Sequence, residues 1–389
     1  MKILVLNSGS SSLKFKLFLE TNSICSGNIE KISEESSHIT IKTLDETISK
    51  NIYIKDHKEA LDLLFDILKD LEVVLNIKDL DAVGHRVVHG GEKYSKATLI
   101  DTKVLKELES LTSLAPLHNP ANILGIQAIL HKDSSIKQVA IFDTAFHQSM
   151  PNYAYTYALP FELYKNDKIR RYGFHGTSHK YILKESASIL EKDINNTNII
   201  SLHLGNGASI CAIQNGKSVD TSMGFTPLEG LVMGTRSGDL DPAIIFYLHN
   251  VKNYSLEKID NILNKKSGLL GICGENDMRL ILKNSKNNER YKLALDIFVY
   301  RIKKYIGSYM AILNTVDAIV FTGGIGENSA EIRELICSKL DIFSIHIDKG
   351  KNTSHKTKIH QEKSKMELLV IQTDEELEIA LQTKELIHG

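Results

Sequence analysis

Lys2-Ile3-Leu4-Val5-Leu6-Asn7-Ser8-Gly9-Ser10-Ser11-Ser12-Leu13-Lys14-Phe15-Lys16-Leu17-Phe18-Leu19 is the stretch that decides the fold. Its first part, residues 2–6, is an apolar run suited to a strand covered on both faces. Residues 13–19 alternate apolar and polar side chains, the period-two pattern of a half-buried strand, and are expected to return as a hairpin partner. Between them, Asn7 to Ser12 is a turn of small residues. The plan recurs about 200 residues later, where residues 198–204 end in His203-Leu204, Gly205-Asn206-Gly207 turns, and residues 208–213 return. A repeated strand, small-residue turn and strand predicts two related α/β domains facing one another.

The rest of the chain fills in around these hairpins. Residues 57–75 carry helical periodicity in Ala60, Leu61, Leu64, Leu68, Leu71 and Leu75, and residues 81–88 and 137–142 are expected strands. Asn119-Pro120 is a suitable N-cap and first-turn pair for a helix to about residue 131. Further helices are expected near 242–252, 256–264, 288–314 and 374–387, with strands at 316–321 and 367–372. The lysine-rich stretch 349–365 is expected to be a solvated loop.

Composition narrows the class of function. The 389 residues carry 47 Lys and Arg against 48 Asp and Glu, which disfavours a general polyanion binder and gives no expectation of nucleic acid as partner. Apolar residues at 42% and charged residues at 24% are globular proportions and exclude a disordered chain. No apolar run reaches the roughly 20 residues that span a bilayer, so no membrane is expected either. The four cysteines (Cys25, Cys211, Cys273, Cys337) are widely spaced, which disfavours a cysteine zinc site or disulfide framework and favours the cytoplasm.

Three glycine-rich or small-residue turns end predicted strands: Asn7 to Ser12, Gly205 to Gly207, and Gly323-Gly324-Ile325-Gly326. Such turns can aim backbone N–H groups at a phosphate, although each taken alone is also what an ordinary hairpin or left-handed turn looks like. Neither a Walker A nor a Rossmann glycine pattern is present. Arg86 ends a predicted strand and Arg236 lies between Gly234 and Gly238, where a guanidinium is suited to a carboxylate or phosphoryl group. His118, His175, His179 and His203 sit in apolar or glycine-flanked stretches, and His175 is followed directly by small residues. Asp143 follows a predicted buried strand and Glu375 opens the last helix; either could hold Mg²⁺ through one or two carboxylates.

Together these stretches resemble the acetokinase family, within the actin, sugar-kinase and heat-shock-ATPase superfamily. The resemblance runs in order through Asn7 to Lys14, Gly84 to Gly91, Leu114 to Pro120, Phe142 to His147, Arg171 to His179, His203 to Ser209, Met223 to Pro242, Asp277 to Arg279, Gly323 to Asn328 and Thr373 to Leu377. It implies two duplicated actin-like (ribonuclease H-like) α/β domains, each with a βββαβαβα core, and a cleft between them. The first would span 1–150 and take back a C-terminal helix at about 376–389. The second, for nucleotide and dimerisation, would span 151–375. Asn7 and Glu375 would be the Mg²⁺ sites, with Mn²⁺ as a possible substitute. Lys14, His203, Leu204, Gly205, Asn206, Gly207, Asp277, Met278, Arg279, Gly324, Ile325, Gly326, Glu327 and Asn328 would contact ATP or ADP. Arg86 would meet the acyl carboxylate, and Val88, Leu117 and Pro227 would wall its methyl group. His175 and Arg236 would stabilise the transition state, and Asp143 would be a catalytic acid. A homodimer is implied.

The implied reaction is ATP + acetate ⇌ ADP + acetyl phosphate. A carboxylate acceptor ionises at a pKa of about 4–5, as Glu does, so it needs no general base. The obstacle is an anion attacking a polyanion, and the remedy is positioning with positive charge. On that argument Asp143 orients Mg²⁺ or its waters rather than moving a proton. Closure that excludes water is also expected. The competing expectations are propionate as acceptor, one methylene larger, and a nucleotide-switch ATPase with no small acceptor.

Overall fold

Strand β1 (Lys2–Gly9) turns at Ser10-Ser11 into β2 (Ser12–Leu19), with Asn7 opposite Lys14 in the antiparallel register. The small residues at 7–9 and 12 therefore belong to the strands, and the turn itself is two residues long. This is a computed structural model, and it describes residues 1–116 and 118–388. The chain divides into two compact units, Met1–Phe146 with Asp374–Gly389, and His147–Thr373.

In the first unit the hairpin extends through β3 (Asn22–Glu30), β4 (Ser37–Thr43) and β5 (Thr47–Ile52), and continues on its other side through β6 (Ala82–Val87), β7 (Thr98–Leu99) and β8 (Gln138–Phe142). The sheet order is β5-β4-β3-β2-β1-β6-β8-β7. β1, β6 and β8 run parallel at its centre. Alternation along β1 splits the core in two. Leu4 and Leu6 face the helices His57–Asp70 and Asn119–Lys132 through Leu61, Leu64, Leu68 and Ile129. Ile3 and Val5 face Ile379 and Ala380 of the helix Glu375–His388. Each such buried aliphatic side chain contributes about 1.5–3 kcal/mol of transfer free energy.

Two helix boundaries differ from the periodicity. The helix expected to reach residue 75 stops at Asp70, because Glu72 turns left-handed (φ 55°) and carries the chain away, leaving Leu75 exposed. The helix 119–132 is N-capped at His118, not Asn119. Asn119 lies inside the first turn, where its amide bonds the backbone of His89 on both sides, accepting from the N–H and donating to the carbonyl.

The second unit holds β9 (Ile199–Leu204), β10 (Ala208–Gln214), β11 (Lys217–Thr221), β12 (Ala318–Thr322) and β13 (Glu367–Val370), ordered β11-β10-β9-β12-β13. β9, β12 and β13 are parallel. A run of antiparallel strands, five in the first unit and three in the second, followed by parallel ones with intervening helices thus occurs twice, as expected of a duplicated α/β core. The helix Gly176–Ile189 packs on β9 and β12, and the long helix Glu289–Leu313 on β10. No residue pattern marked strands β3, β4, β5, β7 and β11, although β3 and β11 complete the three opening strands of the core that the resemblance implies. The six lysines between 349 and 365 are exposed, although Lys349–Thr353 is a short helix rather than loop. All four cysteines are buried and free. Among the described residues no helix is long and apolar enough to cross a membrane.

Candidate functional site

In the first unit, the parallel strands β1, β6 and β8 deliver Asn7, Arg86 and Asp143 to one end of the sheet, the carboxyl end where open α/β sheets bind ligands. Asp143 follows β8 with its N–H donating to Val87 O at 3.0 Å. Arg86 Nε donates to both Asp143 oxygens at 3.1 Å, and Nη2 donates to Oδ2 at 2.5 Å. Arg86 Nη1 reaches Asn7 Oδ1 at 3.3 Å, and Glu375 Oε2 stands 4.0 Å from Nε. Burial pulls the Arg86 pKa down, but the Asp143 and Glu375 carboxylates carry it above its usual value, so the guanidinium stays charged. Burial raises the Glu375 carboxyl to about 7; Arg86 opposes this, while Asp143 and Glu376 add to it. Excess carboxylate around one guanidinium is a place where a further cation is favourable.

The segment after β6 is held by two asparagines on one helix face. Asn122 accepts from the Val88 N–H at 3.0 Å and donates to Ser8 O at 2.7 Å, while Asn119 brackets His89. Val88 itself is buried. Leu117, expected beside it, lies outside the described residues. Lys14 stands exposed on β2 opposite Asn7.

In the second unit, β9 ends in His203-Leu204 and turns at Gly205 to Gly207, where Gly205 N–H donates to Gly207 O at 3.1 Å. Asn206 O accepts from the Gly234 N–H at 2.8 Å. A Cβ on Gly234 would lie 1.8 Å from Asn206 Oδ1, so a larger residue there would push the Asn206 amide aside. Around Gly207 two groups converge. The direction its side chain would take points to His175 Nε2 at 3.6 Å and Arg236 Nη1 at 3.7 Å. His175 holds a left-handed backbone (φ 58°) at the N-cap of the helix Gly176–Ile189, a strained conformation common at functional sites. Its Nδ1 lies 2.9 Å from Ser209 Oγ, and its ring stacks on His203 with centroids 4.3 Å apart. Arg236 is half-buried, bonded to Pro227 O at 3.2 Å and near Met233 Sδ, and no carboxylate among the described residues pairs with it. Burial therefore lowers its pKa. His179 is structural: fully buried between Ser201 and Ser209, it is held neutral by burial, with His147 and His203 adding to the shift.

A cavity of about 710 Å³ lies beside this turn, within the usual size of small-molecule sites. Of the residues expected to contact nucleotide, Asn206, Asp277, Met278, Arg279, Gly324, Ile325 and Asn328 line it. Asn276, Leu282, Lys283, Lys286 and the stretch Ser329 to Glu331 line it too, and the motifs gave no sign of them. Asp277 is held at about 2 by its exposed partner Arg279. The glycine turn after β12 is itself a short helix, Gly323–Asn328. Glu327 is turned away from the cavity: its Oε1 accepts from the N–H of Gly323 at 2.8 Å and of Thr373 at 3.0 Å. Gly326 is buried, and its carbonyl accepts from the fully buried Arg333 at 2.8 Å. His203 Nδ1 lies 2.8 Å from Ser178 Oγ. His203, Leu204, Gly205 and Gly207 do not line the cavity.

The acetokinase family model matches residues 2–381. An acetate kinase of Sulfurovum sp. is 52% identical, with 100% of this chain and 99% of that protein covered. An acetate kinase of Campylobacter lari is 51% identical with both chains wholly covered. Among solved structures, acetate kinase from Porphyromonas gingivalis superposes with TM-score 0.94 at 42% identity over 99% of both chains. A propionate kinase from Francisella tularensis does so with TM-score 0.94 at 46% identity over 98% of both. The two actin-like domains expected from the sequence are thus the fold these proteins share with the chain. A model matching nearly its whole length, with relatives above half identity, shows that the chain belongs to the acetokinase family.

Proposed function

We propose that the protein is an acetate kinase, a phosphotransferase that moves the γ-phosphoryl group of ATP reversibly to the carboxylate of acetate. The observation that carries this reading is Arg236: a half-buried guanidinium with no carboxylate partner among the described residues, converging with His175 Nε2 on Gly207, whose neighbour Asn206 lines a cavity of small-molecule size. An unpaired cation in low dielectric favours an incoming anion. On this reading Arg236 and His175 donate to the equatorial oxygens of the transferring group, and Arg86 orients the acceptor carboxylate. Acetate is ionised at neutral pH, so no step requires a base, and in-line transfer rests on positioning and charge.

Asn7, Asp143 and Glu375 offer hard oxygen donors of the kind Mg²⁺ takes; the Glu375 carboxyl is raised mainly by burial, with Asp143 and Glu376 adding to it, and a bound cation would favour its ionised form. No cluster of three His, Cys, Asp or Glu side chains forms a closed metal site among the described residues, which suits an ion completed by nucleotide phosphates and water. Mg²⁺ held by these residues would supply positive charge against the nucleotide phosphates; Mn²⁺ would serve in its place. The helix Ala243–Asn250 buries none of its residues and exposes Ile244, Phe246 and Tyr247. That apolar face supports a homodimer formed through the second unit, and the four free, buried cysteines suit the cytoplasm.

The test is an acyl-hydroxamate assay with ATP, Mg²⁺ and hydroxylamine, supplying acetate, propionate or butyrate in turn. Most product with acetate is expected. More product with propionate would move the substrate toward that of the Francisella protein while keeping the mechanism. No product from folded protein that binds ATP would overturn the kinase reading.

A further inference from the structure

We propose that Arg171, Glu229 and Tyr157 form a positioning clamp that sets Arg236 and His175 at their working separation, an inference resting on the assignment of those two residues to the phosphoryl group. His175 ends the segment that Arg171 begins, and Arg236 lies on the loop that Glu229 begins. The two segments are stapled at several points. Tyr172 and Gly173 N–H groups both donate to Gly224 O, at 3.0 and 3.2 Å. Arg171 Nη1 donates to the carbonyls of Thr221, Ser222 and Met223 at 2.8, 3.2 and 3.1 Å, and its Nη2 donates to Glu229 Oε1 at 2.5 Å. Tyr157 donates its hydroxyl to Glu229 Oε2 and accepts from the Phe225 N–H at 2.9 Å.

Beyond Glu229 the loop is closed on itself. Gly230 N–H donates to Asp239 Oδ1 at 2.8 Å, and Asp239 N–H returns to Gly230 O at 2.9 Å. Tyr305 fixes the other Asp239 oxygen at 2.9 Å. Gly230 has a positive φ of 109°, and a Cβ there would lie 2.5 Å from Ser222 O. Arg236 is carried on the closed loop, so its position relative to His175 is inherited from the Glu229 end. None of the three clamp residues lines the nucleotide cavity. A partly buried ion pair is weak support for stability and is better suited to fixing register.

The test uses Glu229→Gln and Tyr157→Phe, each alone and combined with Arg236→Ala, with kcat and KM from the hydroxamate assay, ADP affinity by calorimetry, and Tm. Each clamp variant should lower kcat by about 10- to 100-fold through misplacement alone, with ADP affinity within about twofold. In the Arg236→Ala background the same substitution should cost less than about threefold, because its target is gone. Equal losses in both backgrounds, or no loss in either, would overturn the clamp. Arg236→Ala losing less than about tenfold would instead overturn the assignment beneath it. Should Glu229→Gln not fold, Tyr157→Phe removes a single hydroxyl and carries the same comparison.

Discussion

Asp143 lies along one edge of the Arg86 guanidinium, one oxygen 2.5 Å from Nη2 and both 3.1 Å from Nε. Asp143 is almost wholly enclosed, while a fifth of the Arg86 side chain reaches solvent. The carboxylate holds the arginine, and the same guanidinium reaches Asn7 Oδ1 through Nη1 and stands 4.0 Å from Glu375 Oε2. Asp143→Asn should lower kcat by at least about tenfold, the scale of a displaced catalytic group, and raise the Mg²⁺ needed for half-maximal activity. A Mg²⁺ titration of the hydroxamate assay checks this; near-normal kcat with unchanged Mg²⁺ dependence would reduce Asp143 to a packing residue.

Arg236 is the opposite case, since no carboxylate among the described residues holds it. Arg236→Ala should cost roughly 10²–10³ in kcat, as for the loss of one preorganised oxyanion donor, with folding and ADP affinity intact. Added guanidine should restore part of the rate. Thermal melts alongside kinetics separate this from unfolding.

Neighbouring glycines should respond in opposite ways. Gly323 has φ 74°, and a Cβ there would lie 2.8 Å from Leu204 O, whereas a Cβ on Gly324 meets nothing within 4 Å. Gly323→Ala should lower Tm sharply. Gly324→Ala should keep or raise Tm, since alanine favours helix by about 1 kcal/mol, yet raise the KM for ATP by intruding on the cavity. A Gly324→Ala enzyme with unchanged KM would place the nucleotide elsewhere.

His85, enclosed on β6 with Nε2 2.7 Å from Gln138 Oε1, is lowered to about 4 by burial, against the raising effect of that hydrogen bond. The unfolded chain takes up this proton near pH 6.5 and the folded one only near 4. The stability His85 contributes is therefore complete above about 6.5, drains as pH falls toward 4, and changes no further below that. Melts of wild type and His85→Gln from pH 7.5 to 4 should show the wild type losing more. A difference between the two that does not vary with pH would acquit His85.

The β1–β2 hairpin, the parallel strands and the long helices were legible because alternation and apolar runs follow directly from burial. Strand β5 was not: as a sheet edge it leaves Thr47, Ser49, Lys50, Asn51 and Ile52 exposed, so no pattern marks it. The residues Arg86, Asp143, His175 and Arg236 stood out in sequence because each is polar where its surroundings are apolar or glycine. Glu327 was equally prominent, but its backbone turns the carboxylate inward to Gly323 and Thr373, and only geometry decides that direction. Arg171, Glu229 and Tyr157 are far apart in sequence, and their pairing belongs to the folded chain alone.

The helix Glu375–His388 covers Ile3, Val5 and Phe18 after the chain has built all of the second unit. During synthesis, one face of the strands made first therefore waits for residues 375–388 to leave the ribosome. The second unit, whose sheet strands lie between residues 199 and 370, meets no such delay. Domains ordinarily mature in the order they are translated; here the unit begun before the other is completed after it, and a nascent chain stalled before residue 375 would expose an apolar sheet face to chaperones.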